Sequence, residues 1–190
     1  MTTTAPRAPS TAASAAAVPT GTIRGIDHIG LTVPDIDTAT DFFVRGFDAV
    51  VLYDRFLRSE PVRRTRDVQQ RLGIPHTMAQ GALRMLALPN GPGLELFEYH
   101  GRGQRGAARP SDLGWQHVAF YVDDLDAALA RVESVGGRRY AEPRDLGGNE
   151  SGCGNRFVYV GTPWGSTLEL ITYPTMQAGE LAAPRPKWRV

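Results

Sequence analysis

The sequence has little cysteine and no long hydrophobic run, and both shortages narrow the possible functions. Cys153 is the single cysteine among 190 residues, which excludes an internal disulfide framework and a zinc site built from several thiolates. No run of about 18 apolar residues is present, so we expect no membrane-spanning helix. Any metal site must therefore use His, Asp or Glu, and the cysteine content predicts a reducing, cytoplasmic location.

The chain also lacks an excess of charge of either sign. Lys and Arg number 21 and Asp and Glu number 20, which gives a net charge of +1. Without a strong electrostatic field, we expect neither nucleic acid nor a membrane surface as a partner. Hydrophobic residues make up 42% of the chain, which is enough for a packed core.

The two ends of the chain differ in composition from the middle. Residues 1–20 are almost all Ala, Thr, Ser and Pro, without the hydrophobic centre of a secretory signal. This composition predicts a disordered tail. Residues 176–190, which include Pro184 and Trp188, are predicted to form a C-terminal extension.

An internal repeat organises the residues between these ends. The segment IDHIGLTVPDIDTATDFF matches WQHVAFYVDDLDAALARV, and this match aligns His28 with His117. The segment LALPNGPGLELFEY matches VGTPWGSTLELITY without a gap and aligns Glu95 with Glu169. The chain therefore contains two copies of one module.

Each copy shows the pattern of one strand, one helix and three further strands, which predicts an α+β fold. We place the two tandem βαβββ modules at residues 21–101 and 102–175. Either Asp35 or Asp37 is expected to cap the first helix, and either Asp123 or Asp124 the second. Apolar and β-branched runs predict the strands, which are Asp27–Val33, Val50–Phe56, Gly81–Leu88, Gly93–His100, Gln116–Val122, Arg138–Glu142, Arg156–Gly161 and Thr167–Tyr173.

Ionisable residues occupy equivalent strand positions in the two copies. His28 and His117 lie in the first strand of each module, and Glu95 and Glu169 lie in the last strand, each between two leucines. Alternation along a strand places each glutamate on the face opposite its leucines. Two His and two Glu can converge on one point between the modules, and such ligands suit zinc, nickel, cobalt, manganese or ferrous iron.

On these motifs the sequence resembles the vicinal oxygen chelate superfamily, which includes glyoxalase I, methylmalonyl-CoA epimerase, extradiol dioxygenases and fosfomycin or bleomycin resistance proteins. The resemblance runs from Ile23 to Pro174 and is carried by DHIGLTVPDID, GLELFEY, WQHVAFYVDDLDAA and GNRFVYVGTPWGSTLELITYP. It implies modules that form a half-barrel cavity around one divalent metal ion, a small-molecule substrate and a homodimer. The metal ligands implied by the resemblance are His28, Glu95, His117 and Glu169.

The resemblance implies a glyoxalase-type lyase or isomerase that works by metal-assisted proton transfer. A divalent ion would polarise a substrate carbonyl and stabilise an enediolate, while Glu169 or Glu95 moves the proton. The epimerase group takes the ligand corresponding to Glu95 from the third strand, where Gln80 or Met85 lies. Strand parity offers aromatic residues as a substrate-binding wall, namely Phe97, Tyr99, Trp115, Tyr121 and Tyr173.

Two other functions stay open. An extradiol dioxygenase would hold ferrous iron with His28, His117 and Glu169, and Glu95 would then occupy a position that oxygen chemistry needs open. A non-enzymatic binding or resistance protein would keep the fold, usually without the full ligand set. The arginine-rich insertion at residues 55–76 is interpreted either as a lid that holds a substrate anion or as a solvated helix.

Overall fold

The computed structural model describes residues 25–184 and 187–188. The tail predicted at residues 1–20 lies outside these residues. In the described part of the chain, the backbone forms two open β-sheets, one in each half of the sequence, with α-helices packed on one face of each sheet. No helix in these residues is long and apolar enough to cross a membrane.

The first sheet is built from one continuous segment of chain. Its strand order is β1-β4-β3-β2, with β1 and β4 parallel and the other neighbours antiparallel. The elements of this segment are β1 (His28–Val33), α1 (Ile36–Phe47), β2 (Val50–Phe56), α2 (Arg66–Leu72), β3 (Met78–Ala87) and β4 (Gly93–Gly101).

The second sheet repeats this connection with an order of β5-β9-β8-β6, and a short β7 also pairs with β8. The α+β fold with two βαβββ modules is therefore confirmed. The strand predicted over Arg138–Glu142 is shorter in the structure: its first two residues pair with β8, and the Tyr140 amide adds one hydrogen bond to the Tyr159 carbonyl at 3.0 Å. The elements are β5 (Val118–Tyr121), α3 (Leu125–Ser134), β6 (Arg138–Arg139), β7 (Arg144–Asp145), β8 (Arg156–Gly161) and β9 (Thr167–Thr172).

Side-chain caps fix where the helices begin. Asp35 caps α1, since its Oδ1 accepts a hydrogen bond from the Thr38 amide at 2.8 Å. Asp124 caps α3 by accepting hydrogen bonds from two amides at 3.0 Å. In α2, the hydroxyl of Thr65 accepts from the Val68 amide at 3.3 Å. Each cap satisfies a backbone donor that the helix itself leaves free.

The two modules share one hydrophobic core on the helix side of their sheets. Helices α1 and α3 contact each other, and the Phe42 ring of α1 lies 5.3 Å from the Trp164 ring of the second module. The Phe47 and Phe120 rings are 4.5 Å apart. Arg131 of α3 pairs with both oxygens of Asp48 just after α1. The sheet faces opposite the helices consequently point away from the shared core.

A long connection separates the two modules. Residues 102–116 between β4 and β5 are all exposed and form neither helix nor strand. One turn in this linker is held by Arg109, whose amide donates to Asp112 at 2.9 Å. The linker thus adds no helix or strand to the contact that the two helices and the aromatic cluster make between the modules.

Candidate active site

The first His–Glu pair lies on the outer face of the first sheet. Parallel pairing of β1 with β4 places Glu95 opposite Gly30, two residues after His28. Nε2 of His28 is 3.3 Å from Oε2 of Glu95. On the other side of the ring, Nδ1 of His28 donates to Oδ2 of Asp27 at 2.7 Å, and this hydrogen bond is the main cause that raises the pKa of His28. The Asp27 contact leaves Nε2 as the free ligand atom.

The second pair repeats this arrangement on the second sheet. Nε2 of His117 is 2.9 Å from Oε2 of Glu169, and Nδ1 of His117 donates to the side-chain oxygen of Gln116. Glu169 is buried. Burial raises the pKa of this carboxyl, the positive charge of His117 opposes the rise, and Glu150 adds to it.

The donor atoms of each pair fit one divalent metal ion. Two ligands at about 2.1 Å from a metal are about 3.0 Å apart in octahedral and 3.4 Å apart in tetrahedral geometry. The separation of 3.3 Å in the first pair lies within this range, and the separation of 2.9 Å in the second lies just below it. Within residues 25–184 and 187–188, however, no group of three or more His, Cys, Asp or Glu is placed to hold a metal. Each chain thus presents two separate His–Glu pairs, here called half-sites, and each pair offers two candidate ligands.

Glu95 of the first half-site borders one cavity, and His117 and Glu169 of the second half-site border another, and the two cavities share no lining residue. The first-sheet cavity, of about 130 Å³, is lined by Glu95, Phe97 and Gln80 together with three arginines. The second-sheet groove, of about 1390 Å³, is lined by the second His–Glu pair and by aromatic residues. The predicted convergence of all four ligands is therefore not present within a single chain.

The predicted aromatic residues divide between these cavities. Phe97 lines the first cavity, and Tyr99 stacks on it with ring centroids 5.9 Å apart. Tyr121 and Tyr173 line the second groove, and their hydroxyls are hydrogen-bonded to each other. Trp115 is 94% exposed and lines neither cavity.

The arginine-rich insertion contributes to two different places. Arg55, Arg63 and Arg71 line the first cavity beside Glu95. Arg58 instead reaches the opposite side of the sheet, where its guanidinium pairs with Asp35 at 2.6 Å. Part of the insertion thus borders the first half-site, as the lid interpretation expects, although it also contains the helix α2.

Tyr159, which is not among the residues predicted from the sequence, borders the second half-site. Its ring lies 5.1 Å from the ring of His117, and it stands opposite Glu169 in the antiparallel pair of β8 and β9. Burial raises the pKa of Tyr159, and the charge of Glu169 adds to this effect. The hairpin turn between β8 and β9 fixes the register of these strands, so the sequence could have predicted that Tyr159 lies opposite Glu169.

Glu98 was also missed, and it lies on the helix side of the first sheet. It is fully buried, and its Oε2 accepts a hydrogen bond at 2.8 Å from the Ile36 amide at the start of α1. Its Oε1 lies 3.0 Å from Nε2 of His100 and 3.3 Å from Nε of Arg58. This carboxylate joins β4 to α1 and to the insertion.

Comparisons with known proteins agree with this fold. The sequence model of the Glyoxalase/Bleomycin resistance protein/Dioxygenase superfamily matches residues 25–170. A 2-epi-5-epi-valiolone epimerase from Actinomyces sp. is 35% identical over 150 residues, which cover 78% of this chain and 79% of that protein.

Two solved structures illustrate the similarity of fold. A glyoxalase family protein from Bacillus cereus superposes with a TM-score of 0.63 at 18% identity, over 82% of this chain and 98% of that one. A mutant fosfomycin resistance protein from Listeria monocytogenes, complexed with Mn(II) and dihydroxypropylphosphonic acid, gives a TM-score of 0.50 at 18% identity, over 84% and 93% of the two chains.

Proposed function

Because the chain belongs to the Glyoxalase/Bleomycin resistance protein/Dioxygenase superfamily, we propose that it is a divalent-metal-dependent epimerase of a small hydroxylated ketone. The observation that carries this proposal is the duplicated His–Glu pair, present in a chain 35% identical to an epimerase. The name of that relative's substrate denotes a hydroxylated ketone, and its reaction inverts one carbon centre. We extend this reaction class to the present chain.

His28, Glu95, His117 and Glu169 would hold the metal ion. The Mn(II) complex of the structurally similar fosfomycin resistance protein supports a divalent ion in this fold. When bound, the ion polarises a carbonyl oxygen and makes the adjacent C–H more acidic. Asp27 and Gln116 orient the two imidazoles through their Nδ1 atoms.

The two half-sites are proposed to meet across a homodimer. Within one chain they lie on sheet faces that point away from the shared core, in separate cavities. In a symmetric dimer, the first half-site of one copy can face the second half-site of its partner, and the symmetry then creates two complete sites. Each metal ion would then have four protein ligands, and neither chain would need to change its own fold.

The residues of the chain then divide the proton transfer between two carboxylates. Epimerisation removes a proton from the carbon next to a carbonyl and returns a proton to the opposite face of that carbon. Glu169 takes the proton on one face, and the Glu95 carboxyl contributed by the other copy returns one on the opposite face. The substrate regains the proton count that it started with, and both carboxyls re-equilibrate with water.

Hydrogen exchange at the reacting carbon tests the reaction. The protein is incubated with Mn²⁺ and 2-epi-5-epi-valiolone in D₂O, and deuterium next to the carbonyl is followed by NMR. We expect exchange with the native chain, losses of at least about 100-fold in Glu169→Gln and Glu95→Gln, and no loss in the exposed control Glu142→Gln. Oxygen uptake on a catechol without any exchange would overturn the proposal in favour of a dioxygenase.

Mixing two inactive variants tests the shared site. A dimer of one Glu95→Gln chain and one Glu169→Gln chain has one site with both lesions and one site with none. Equal amounts of the two variants, allowed to exchange subunits, should therefore recover about one quarter of the native activity, since half of the dimers are mixed. No recovery despite proven subunit exchange would mean that each chain forms its own site.

A further inference from the structure

The C-terminal segment lies against the second half-site. The carbonyl oxygen of Trp188 accepts a hydrogen bond from the Tyr121 hydroxyl at 2.7 Å, and the Trp188 and Tyr121 rings are 5.7 Å apart. On its other side the Trp188 indole approaches the turn at Gly91, where an added Cβ would lie 3.7 Å from the ring. The indole thus spans the first module and the second.

Lys187 lies beside the same aromatic wall. Its Nζ is 5.1 Å from the centre of the Tyr173 ring and 3.4 Å from the side-chain oxygen of Gln177. Gln177 is buried, so it offers a fixed anchor for the ammonium group. Lys187 and Trp188 both line the groove that contains His117 and Glu169.

The groove has few cations that remain available to a ligand. Arg131 also lines it, but both of its terminal nitrogens are engaged by Asp48. The hydrogen-bond partner that the structure shows for Nζ of Lys187 is instead the neutral side-chain oxygen of Gln177, at 3.4 Å. An ammonium that lines the same groove as the proposed catalytic carboxylate, and that is held by a neutral amide oxygen, can donate to a substrate oxygen.

We propose that Lys187 and Trp188 are substrate-binding residues of the epimerase site, an inference that rests on the function proposed above. Trp188 covers the carbon–hydrogen face of a hydroxylated ring, as an aromatic face covers apolar surface. Lys187 donates to an oxygen of the substrate that gains negative charge when the neighbouring carbon loses its proton, so its contribution is largest in the transition state.

Steady-state kinetics on the hydroxylated ketone that the native chain epimerises provide the first test. Because a hydrogen bond to a developing charge acts mainly in the transition state, Lys187→Met should lower kcat about 10-fold or more, and Lys187→Arg should restore part of it. Trp188→Ala should raise KM about 10-fold with little change in kcat. Mn²⁺ affinity, measured by electron paramagnetic resonance, should stay within about twofold of the native value in all three.

Leu181→Ala provides the matched control, because Leu181 belongs to the same C-terminal segment, is 79% exposed and lines neither cavity. It should leave kcat and KM unchanged. Native kinetics in both Lys187→Met and Trp188→Ala would overturn the inference. Loss of Mn²⁺ affinity together with activity would also overturn it, because the residues would then act through the metal ligands.

Limited trypsin cleavage provides a test that needs no substrate. Trypsin cuts after Lys187, and intact-mass analysis follows the loss of the last three residues. Tyr121→Phe removes the hydroxyl that holds the Trp188 carbonyl, so the cut should become several-fold faster than in the native chain. If the native chain turns over no hydroxylated ketone, the proposed function is wrong, but the cleavage rates still test whether the C-terminal segment is docked on Tyr121. Equal cleavage rates in Tyr121→Phe and the native chain would overturn the inference.

Discussion

The Glu98 carboxylate offers a direct test of how the first module is held together. It is fully buried on the helix side of β4 and accepts the Ile36 amide at 2.8 Å. His100 and Arg58 approach its other oxygen. Replacing Glu98 with glutamine keeps the size of the side chain and removes the charge. The substitution therefore isolates the electrostatic part of the contact.

The expected loss follows from the groups that the charge contacts. A hydrogen bond to a charged group stabilises a protein by about 1.5–3 kcal/mol, and a carboxylate at a helix N-terminus adds about 0.3–1 kcal/mol. The amide side chain of the Glu98→Gln variant would keep a neutral hydrogen bond to the Ile36 amide and would avoid part of the cost of burying a charge. We therefore expect Glu98→Gln to lower the free energy of unfolding by about 2 kcal/mol, and Glu98→Ala by about 3–4 kcal/mol because it also leaves a cavity and an unpaired amide.

Thermal unfolding followed by circular dichroism measures this loss. For a chain of this size, about 1 kcal/mol corresponds to about 2–4 °C in Tm, so Glu98→Gln should lower Tm by about 4–8 °C. The control is Glu142→Gln, which removes an exposed carboxylate with one ion pair to Arg139 at 3.0 Å and should change stability by less than about 0.5 kcal/mol. An unchanged or higher Tm in Glu98→Gln would contradict this expectation, because the cost of burying the charge would then equal or exceed the stabilisation from its contacts.

Three further predictions concern the core, a helix cap and the metal site. Phe42→Ala should lower the free energy of unfolding by about 3–5 kcal/mol in urea titrations followed by tryptophan fluorescence, because Phe42 fills the core shared by both modules. Asp35→Ala should cost about 1 kcal/mol at neutral pH. The hydrogen bond from the Thr38 amide holds the pKa of Asp35 below its usual 3.8. The native chain should therefore lose the stabilisation from this cap as the pH falls from 3.8 through the lowered pKa. The Tm of Asp35→Ala should not show this pH-dependent decrease. Gln116→Ala should weaken Mn²⁺ binding about 10-fold or more in metal titrations, because Nδ1 of His117 loses its partner; unchanged affinity would contradict that role.

Much of the fold was predictable because each module repeats the same local signals. Strand periodicity and the repeat located β2 and β8 at their observed bounds. The acidic residues before each helix predicted its start to within two alternatives, and the structure selects Asp35 and Asp124. The pairing of His28 with Glu95 also follows from local order, since neighbouring parallel strands bring residues of the same face together.

The remaining features depend on contacts between distant segments. Packing of α1 on α3 joins the modules through their helices, and no local pattern predicts that Glu95 and Glu169 then border separate cavities. The docking of Trp188 on Tyr121 joins residues far apart in the chain. The burial of Glu98 could have been predicted from the sequence, because in GLELFEY it shares strand parity with Leu94 and Leu96 and should lie on the same buried face.

The exposed linker at residues 102–116 joins two modules whose sheets are each complete within one half of the sequence. The linker can therefore change in length without altering any strand or any of the four candidate ligands. If the two His–Glu pairs meet across a homodimer, as proposed above, a longer or shorter linker would let the second module of one chain pack on the first module of a neighbour. The proposed assembly and the proposed chemistry would then depend on separate stretches of this sequence.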